Sequence, residues 1–162
     1  CDTVVEKEIN INSDPVVIGT WKFGNGESTP ILVGNPKNAR IWLDYIDAHN
    51  RMDLDKIAAM NTKDWEAYIF DGRVVKGNEA HQQLLSQWFS TSSPKWKTKW
   101  IIATEGLDEE GKITQWLKTG DNHKYLDDEG NVILLHLVHD VQIEDEKIKK
   151  IYAYSRESEA KE

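Results

Sequence analysis

Apolar positions follow two regimes along the chain. Trp42, Tyr45, Ile46, His49 and Met52 recur at spacings of three and four, which places them on one face of a helix over 37–51. Asn35 or Asn38 can cap it. Asp53 opens a second short helix whose apolar positions are Leu54, Ile57, Ala58 and Met60. The stretch Trp65-Glu66-Ala67-Tyr68-Ile69-Phe70 is aromatic and β-branched, reads as a strand, and ends at an Asp71-Gly72 turn. A third helix spans 78–90, with His81, Leu84, Leu85, Trp88 and Phe89 as its apolar face. From residue 96 the pattern changes. Segments 96–107, 112–126, 131–144 and 147–156 read as long strands joined by Asp108-Glu109-Glu110-Gly111, Asp127-Asp128-Glu129-Gly130 and Glu144-Asp145-Glu146, each a hairpin signal. Strands of that length twist and curl, and Gly120 marks a candidate bulge. The order, two helices, a strand, a helix and then a four-strand meander, predicts an α+β fold with helices covering one face of a bent antiparallel sheet.

Residues 1–36 are different. Pro15, Gly19, Gly24, Gly26, Pro30, Gly34 and Pro36 punctuate them, and Val16-Val17-Ile18 and Ile31-Leu32-Val33 are short apolar runs. They read as a tether followed by an arm packed on a domain over 37–157, with 158–162 as a frayed tail. The 162 residues suit one domain, and 39% apolar with 30% charged residues excludes collagen-like and low-complexity chains. The net charge of −8 argues against a nucleic-acid partner, and no apolar run approaches the ~18 residues of a membrane span. The single cysteine, Cys1, excludes a disulfide framework or a cysteine zinc site within one chain. A chain that starts at Cys1 and continues as the polar Asp2-Thr3-Val4-Val5-Glu6 resembles the mature start of a bacterial lipoprotein. That resemblance implies a lipidated Cys1 and a domain tethered to a membrane of the bacterial cell envelope through its lipid alone.

The stretch from Trp42 to Ile57, with Tyr45, Ala48, Asn50, Asp53 and Leu54 at their spacing, resembles the opening of NTF2-like (SnoaL-like) proteins, and Asp71 to Ala80 resembles their loop into a third helix. The resemblance covers about residues 37–157. It implies an NTF2-like cone: three N-terminal helices packed on a strongly curved antiparallel sheet around a pocket. That superfamily holds isomerases, dehydratases, cyclases and hydrolases beside binding and dimerisation modules, so the fold leaves function open. Tyr45 falls where ketosteroid isomerases carry an oxyanion-donating tyrosine. Their general-base position falls on Ile69, which cannot accept a proton, and Asp71 lies two positions on, in the turn.

With Asp127–Gly130 taken as the turn, Asp121 stands opposite His136, and Asp140 lies on the face of His136 four residues on. A carboxylate that orients an imidazole makes a base pair; an ordinary cross-strand pair worth under ~1 kcal/mol is the plainer alternative. A bulge at Gly120 would shift the register by one and break the pairing. His81 can act as acid, base or ligand contact, or be a buried histidine satisfied by a neighbour, and His49 shares that ambiguity. His136 and His139 are three apart on a strand, so they point to opposite faces and do not share one metal site. Neither a metal nor a cofactor is expected.

In the same register Trp100, Tyr125 and His136 share one face, and Trp116, Leu135, Leu137, Val141, Tyr152 and Tyr154 the other. Both faces are apolar. One packs on the helices, and a second subunit is the simplest cover for the other, giving a homodimer through the sheet. The expected pocket is lined by Trp42, Tyr45, His81, Trp88, Trp100, Tyr125 and His136 and takes a small apolar or amphiphilic molecule, without catalysis as a requirement. A SnoaL-like isomerase, dehydratase or hydrolase would use Tyr45 with His136 and Asp121 or Asp140. A non-catalytic dimerisation or interaction module would fill the pocket with its own side chains.

Overall fold

The computed structural model describes residues 14–158. Cys1 and its expected lipid lie outside the described residues, as does most of the expected tail. Two strands come first, β1 (Val17–Lys22) and β2 (Ser28–Val33). The helices therefore do not open the fold, as the sequence reading had it. β2 pairs with β5 through Ile31, Leu32 and Val33, so this hairpin extends the sheet. Then follow α1 (Asn38–Asn50), α2 (Leu54–Met60), β3 (Asn61–Tyr68), β4 (Val74–Lys76), α3 (Asn78–Ser92), β5 (Lys95–Leu107), β6 (Ile113–Leu126), β7 (Val132–Glu144) and β8 (Lys147–Glu157). Together the strands form one curved, unclosed sheet of order β1-β2-β5-β6-β7-β8-β3-β4. The sheet is antiparallel except at β3 and β8, which run parallel. None of the helices is long and apolar enough to cross a membrane.

Local chemistry explains the helix ends. Asp53 accepts a hydrogen bond from the Lys56 amide at 3.0 Å and caps α2. The Asn35 side chain accepts from the Lys37 amide at 3.0 Å just ahead of α1. At the other end of α1, Asn50 is bound to β5 twice, donating to the Trp96 carbonyl and accepting from the Trp96 amide, both at 2.8 Å. Gly77 precedes α3 at φ 83°, a conformation that favours glycine.

Register decides which side chains face the helices. Asp127-Asp128-Glu129-Gly130-Asn131 is a five-residue loop, because Leu126 pairs with Val132. Asp127 Oδ1 accepts from the amides of Glu129 and Asn131, and Gly130 takes φ 82°. The loop 108–112 repeats the design, with Asp108 Oδ1 accepting from Glu110 and Lys112 and Gly111 at φ 76°. A four-residue turn would set Asp121 against His136. The fifth residue sets Asn122 against His136 and Asp121 against Leu137, which moves Asp121 to the other face.

A bulge is present, but the extra residue, Lys99, is on β5 between Thr98 and Trp100, opposite Gly120 and Asp121. It leaves Thr98 inward and turns Trp100 outward. Trp100 then lies over Gly120, where a Cβ would collide with the indole. The inner face of the sheet packs Leu117, Val141, Ile143 and Ile151 against Trp42, Tyr45 and Ile46 of α1 and Leu85 and Phe89 of α3. Burying each such side chain contributes roughly 1.5–3 kcal/mol.

Candidate functional site

The hollow between α1, α3, β3 and the inner face of the sheet has a volume of about 120 Å³. Helical spacing delivers Trp42, Tyr45 and His49 from α1, and His81, Leu85 and Trp88 from α3. Strand alternation delivers Trp65 and Ala67 from β3, Leu137 and His139 from β7, and Ile151 and Ala153 from β8. Ile69 and Phe70 also line it, whereas Asp71 turns away to hold Arg73 at 2.7 Å.

At one wall stands a buried acid–base pair. His139 Nδ1 lies 3.0 Å from Asp121 Oδ2. The same carboxylate accepts from Thr119 at 2.8 Å, from Thr98 at 2.5 Å and from the Trp42 indole at 3.4 Å. Burial alone would raise the Asp121 carboxyl, but the hydrogen bond and charge of His139, then Thr98 and Thr119, outweigh it and hold the group below the usual carboxylate range. Trp42 packs on the imidazole with ring centres 5.0 Å apart. With Nδ1 committed to Asp121, Nε2 is the nitrogen left for the hollow.

The hollow is also lined by polar groups that make no hydrogen bond. The Tyr45 hydroxyl and Trp65 Nε1 are fully buried and, among the described residues, have no hydrogen-bond partner. Burial pushes the Tyr45 hydroxyl far above the ordinary tyrosine value; the Asn61 and Trp65 side chains beside it oppose that rise without reaching hydrogen-bond geometry, so it remains a proton donor at neutral pH. Leaving such a donor unpaired costs about 1–3 kcal/mol. His81 stacks on Trp65 with ring centres 3.9 Å apart, and burial pulls its pKa down to about 3. Burial likewise lowers His49 to about 4, against the opposing hydrogen bond to the Tyr45 carbonyl. Both imidazoles are neutral at physiological pH.

Of the side chains expected at the pocket, Trp42, Tyr45, His81 and Trp88 line the hollow. Tyr125 is on the inner face but stands beside it, stacked on His123 at 5.2 Å. Trp100 and His136 lie on the outer face, as a consequence of the Lys99 bulge and the five-residue loop. His136 there contacts Asn122 Oδ1 at 3.0 Å. Asp140 is outside too, in an ion pair with Lys118. The expected His136 pairs with Asp121 and Asp140 are therefore absent, and His139 takes the place beside Asp121. The signal for His139 was the loop itself, since an aspartate followed four residues later by the closing residue, with glycine before it, sets five residues rather than four.

A larger groove of about 430 Å³ runs over the outer face, between Trp21 and Phe23 of the hairpin and Trp116, Tyr152 and Tyr154. Lys118 pairs there with Asp140, Lys150 reaches out to Glu66, and Glu105, Asp108 and Glu109 also line it. The smaller hollow is the better candidate for chemistry because it holds the buried acid–base pair and the partnerless donors. Among the described residues no cluster of three or more histidine, cysteine, aspartate or glutamate side chains is placed to hold a metal.

No protein-family model and no curated protein matches the sequence. Solved structures do match the fold. The epoxide hydrolase/cyclase-like enzyme SalBIII, described for pyran ring formation in the polyether salinomycin, superposes with a TM-score of 0.59 at 15% identity over 74% of this chain and 91% of that one. An LEH-like epoxide hydrolase of M. tuberculosis gives 0.60 at 15% identity over 74% and 83%. An NTF2-like protein of Burkholderia xenovorans gives 0.57 at 14% identity over 76% and 92%. Similarity at this level carries the NTF2-like fold and leaves the activity to the site.

Proposed function

We propose that the domain takes a small molecule into the hollow beneath α1 and α3. The observation that carries this reading is the pair of buried, partnerless donors, Tyr45 Oη and Trp65 Nε1, beside a cavity of about 120 Å³. A ligand oxygen at that point would satisfy a donor whose isolation costs about 1–3 kcal/mol. The test is ligand-dependent stability. A compact ketone at 100 times its Kd raises the unfolding free energy by about 2.7 kcal/mol in the native protein. Tyr45→Phe reduces that gain. A screen of compact ketones, alcohols and hydrocarbons that leaves the melting temperature unmoved contradicts the reading.

The Asp121–His139 pair favours a second reading, acid–base catalysis on the bound molecule. His139 Nε2 would remove a proton beside a carbonyl, Asp121 would orient the ring and stabilise its charge, and the Tyr45 hydroxyl would donate to the developing oxyanion. SalBIII and the LEH-like hydrolase, both described as enzymes, share the fold, which is consistent with such a use of the hollow. Loss of deuterium from the α-carbon of a bound ketone, abolished in His139→Gln, is the expected signature. Equal rates in the two proteins would exclude it. The exposed aromatics of the outer face, Trp21, Trp100 and Tyr154, remain the surface that a second copy of the chain would cover, and sedimentation at rising concentration tests for that homodimer.

A further inference from the structure

Two of the imidazoles around the hollow, His49 and His81, are fixed in different tautomers by their Nδ1 partners. His49 Nδ1 lies 2.8 Å from the Tyr45 carbonyl, so it carries the proton and Nε2 is bare. His139 Nδ1 is held by the Asp121 carboxylate, which leaves Nε2 turned to the hollow. His81 differs. Its Nδ1 lies 3.2 Å from Asn61 Nδ2, and that amide is oriented by a chain of contacts. Asn78 Nδ2 donates to the Thr62 carbonyl at 3.1 Å, which leaves Asn78 Oδ1 to accept from Asn61 Nδ2 at 2.9 Å. Asn61 therefore presents its NH₂ to His81, His81 Nδ1 accepts, and its proton resides on Nε2.

The lining thus offers hydrogen-bond donors at His81 Nε2, Tyr45 Oη and Trp65 Nε1 and an acceptor at His49 Nε2. Among the described residues no Lys, Arg, Asp or Glu lines it, and the Asp121 carboxylate behind it is already fully bonded. An unpaired ligand charge would be costly there. The volume of about 120 Å³ compares with ~150 Å³ for an apolar cavity that takes benzene, so it encloses about one ring. We propose that the ligand is a neutral, single-ring-sized molecule carrying both a carbonyl oxygen and a hydroxyl. His81 Nε2 and Tyr45 Oη receive the carbonyl, and the bare Nε2 of His49 receives the hydroxyl. This rests on the binding reading above and names the chemistry of its ligand.

The test compares 3-hydroxycyclopentanone, cyclopentanone, cyclopentanol, cyclopentane and cyclopentanecarboxylate as probes by calorimetry, with histidine ¹⁵N spectra of the free protein. The hydroxyketone is expected to bind about tenfold or more tighter than the ketone or the alcohol, since each tenfold is 1.4 kcal/mol, close to one hydrogen bond. The carboxylate is expected to bind least. The spectra should show His81 protonated at Nε2 and His49 at Nδ1. His81→Phe should weaken the two ketone probes about tenfold and spare cyclopentanol, whereas His81→Gln, which keeps a donor, should restore them. Cyclopentane matching the hydroxyketone, the carboxylate binding tightest, or His81 protonated at Nδ1 would each overturn the proposal while leaving a binding hollow in place. Failure of all five probes, cyclopentane included, would overturn the binding reading with it.

Discussion

The two faces of β6 and β7 are built from the same strands and differ by one residue of register. Inside, Asp121 and His139 are nearly sealed from water, and every oxygen of the carboxylate is bonded. Outside, one pleat away, Lys118 pairs with Asp140 and His136 with Asn122 in partly solvated surroundings. The residue types are nearly the same and the physical situations are not. Outside, solvent screening keeps such a pair worth about 0–1 kcal/mol. Inside, the low dielectric makes the same chemistry strong and directional, which is what a proton-transfer group requires. A constellation of acidic and basic residues acquires meaning only from the face that carries it.

Substitutions that remove volume should separate the two faces most widely. Trp65→Ala, inside and 2% exposed, is expected to cost about 3–5 kcal/mol in urea unfolding. Tyr154→Ala, outside and 56% exposed, should stay within about 0.5 kcal/mol. Comparable losses would mean that both faces are covered, as in a dimer through the sheet.

Acid should follow in size. His49, His81 and His123 have folded pKa values of about 4, 3 and 4, below the ordinary 6.5. A depressed pKa means that the unfolded chain binds more protons. Stability is therefore full above pH 6.5 and falls as pH drops from 6.5 towards 4. The combined loss is expected to reach several kcal/mol. Asp121, also held low, adds to it in the acid range in the same direction. A stability profile flat from pH 7 to 4 would show that these imidazoles are not buried neutral.

Smaller differences refine the contrast. Asp121→Asn is expected to lose about 1–3 kcal/mol. Asp140→Asn should lose under about 1 kcal/mol, and added salt should erase its effect but not that of Asp121→Asn. Tyr45→Phe should raise the stability of the ligand-free protein by up to about 1 kcal/mol, because it deletes a hydroxyl buried without a partner, while it weakens ligand binding. A loss of stability in Tyr45→Phe would reveal a bonded hydroxyl and remove the reason to look for a ligand there.

The helices and long strands were legible because their apolar spacing is local. Trp42, Tyr45 and His49 declare one face of α1 whatever they pack on, and the capping Asp53 declares the start of α2. The N-terminal hairpin was less legible, since β2 belongs to the sheet only through β5, some 70 positions along the chain. The candidate base was misplaced for a sharper reason. Strand alternation converts one miscounted loop residue into an inverted face, which exchanged His139 for His136. Trp100 was assigned inward because a bulge at Lys99 leaves its trace in the partner strand, as the bare Gly120 beneath the indole, rather than in β5 itself.

Xenon tests the central claim most directly, since it enters preformed apolar space without needing the right functional group. In crystals of the protein held under xenon pressure, an atom should appear between α1, α3 and β7, within van der Waals contact of Trp42, Leu137 and His139, with Tyr45 Oη still free of any protein partner. Xenon only in the outer groove beside Trp116 and Tyr152, with the interior closed, would contradict the account.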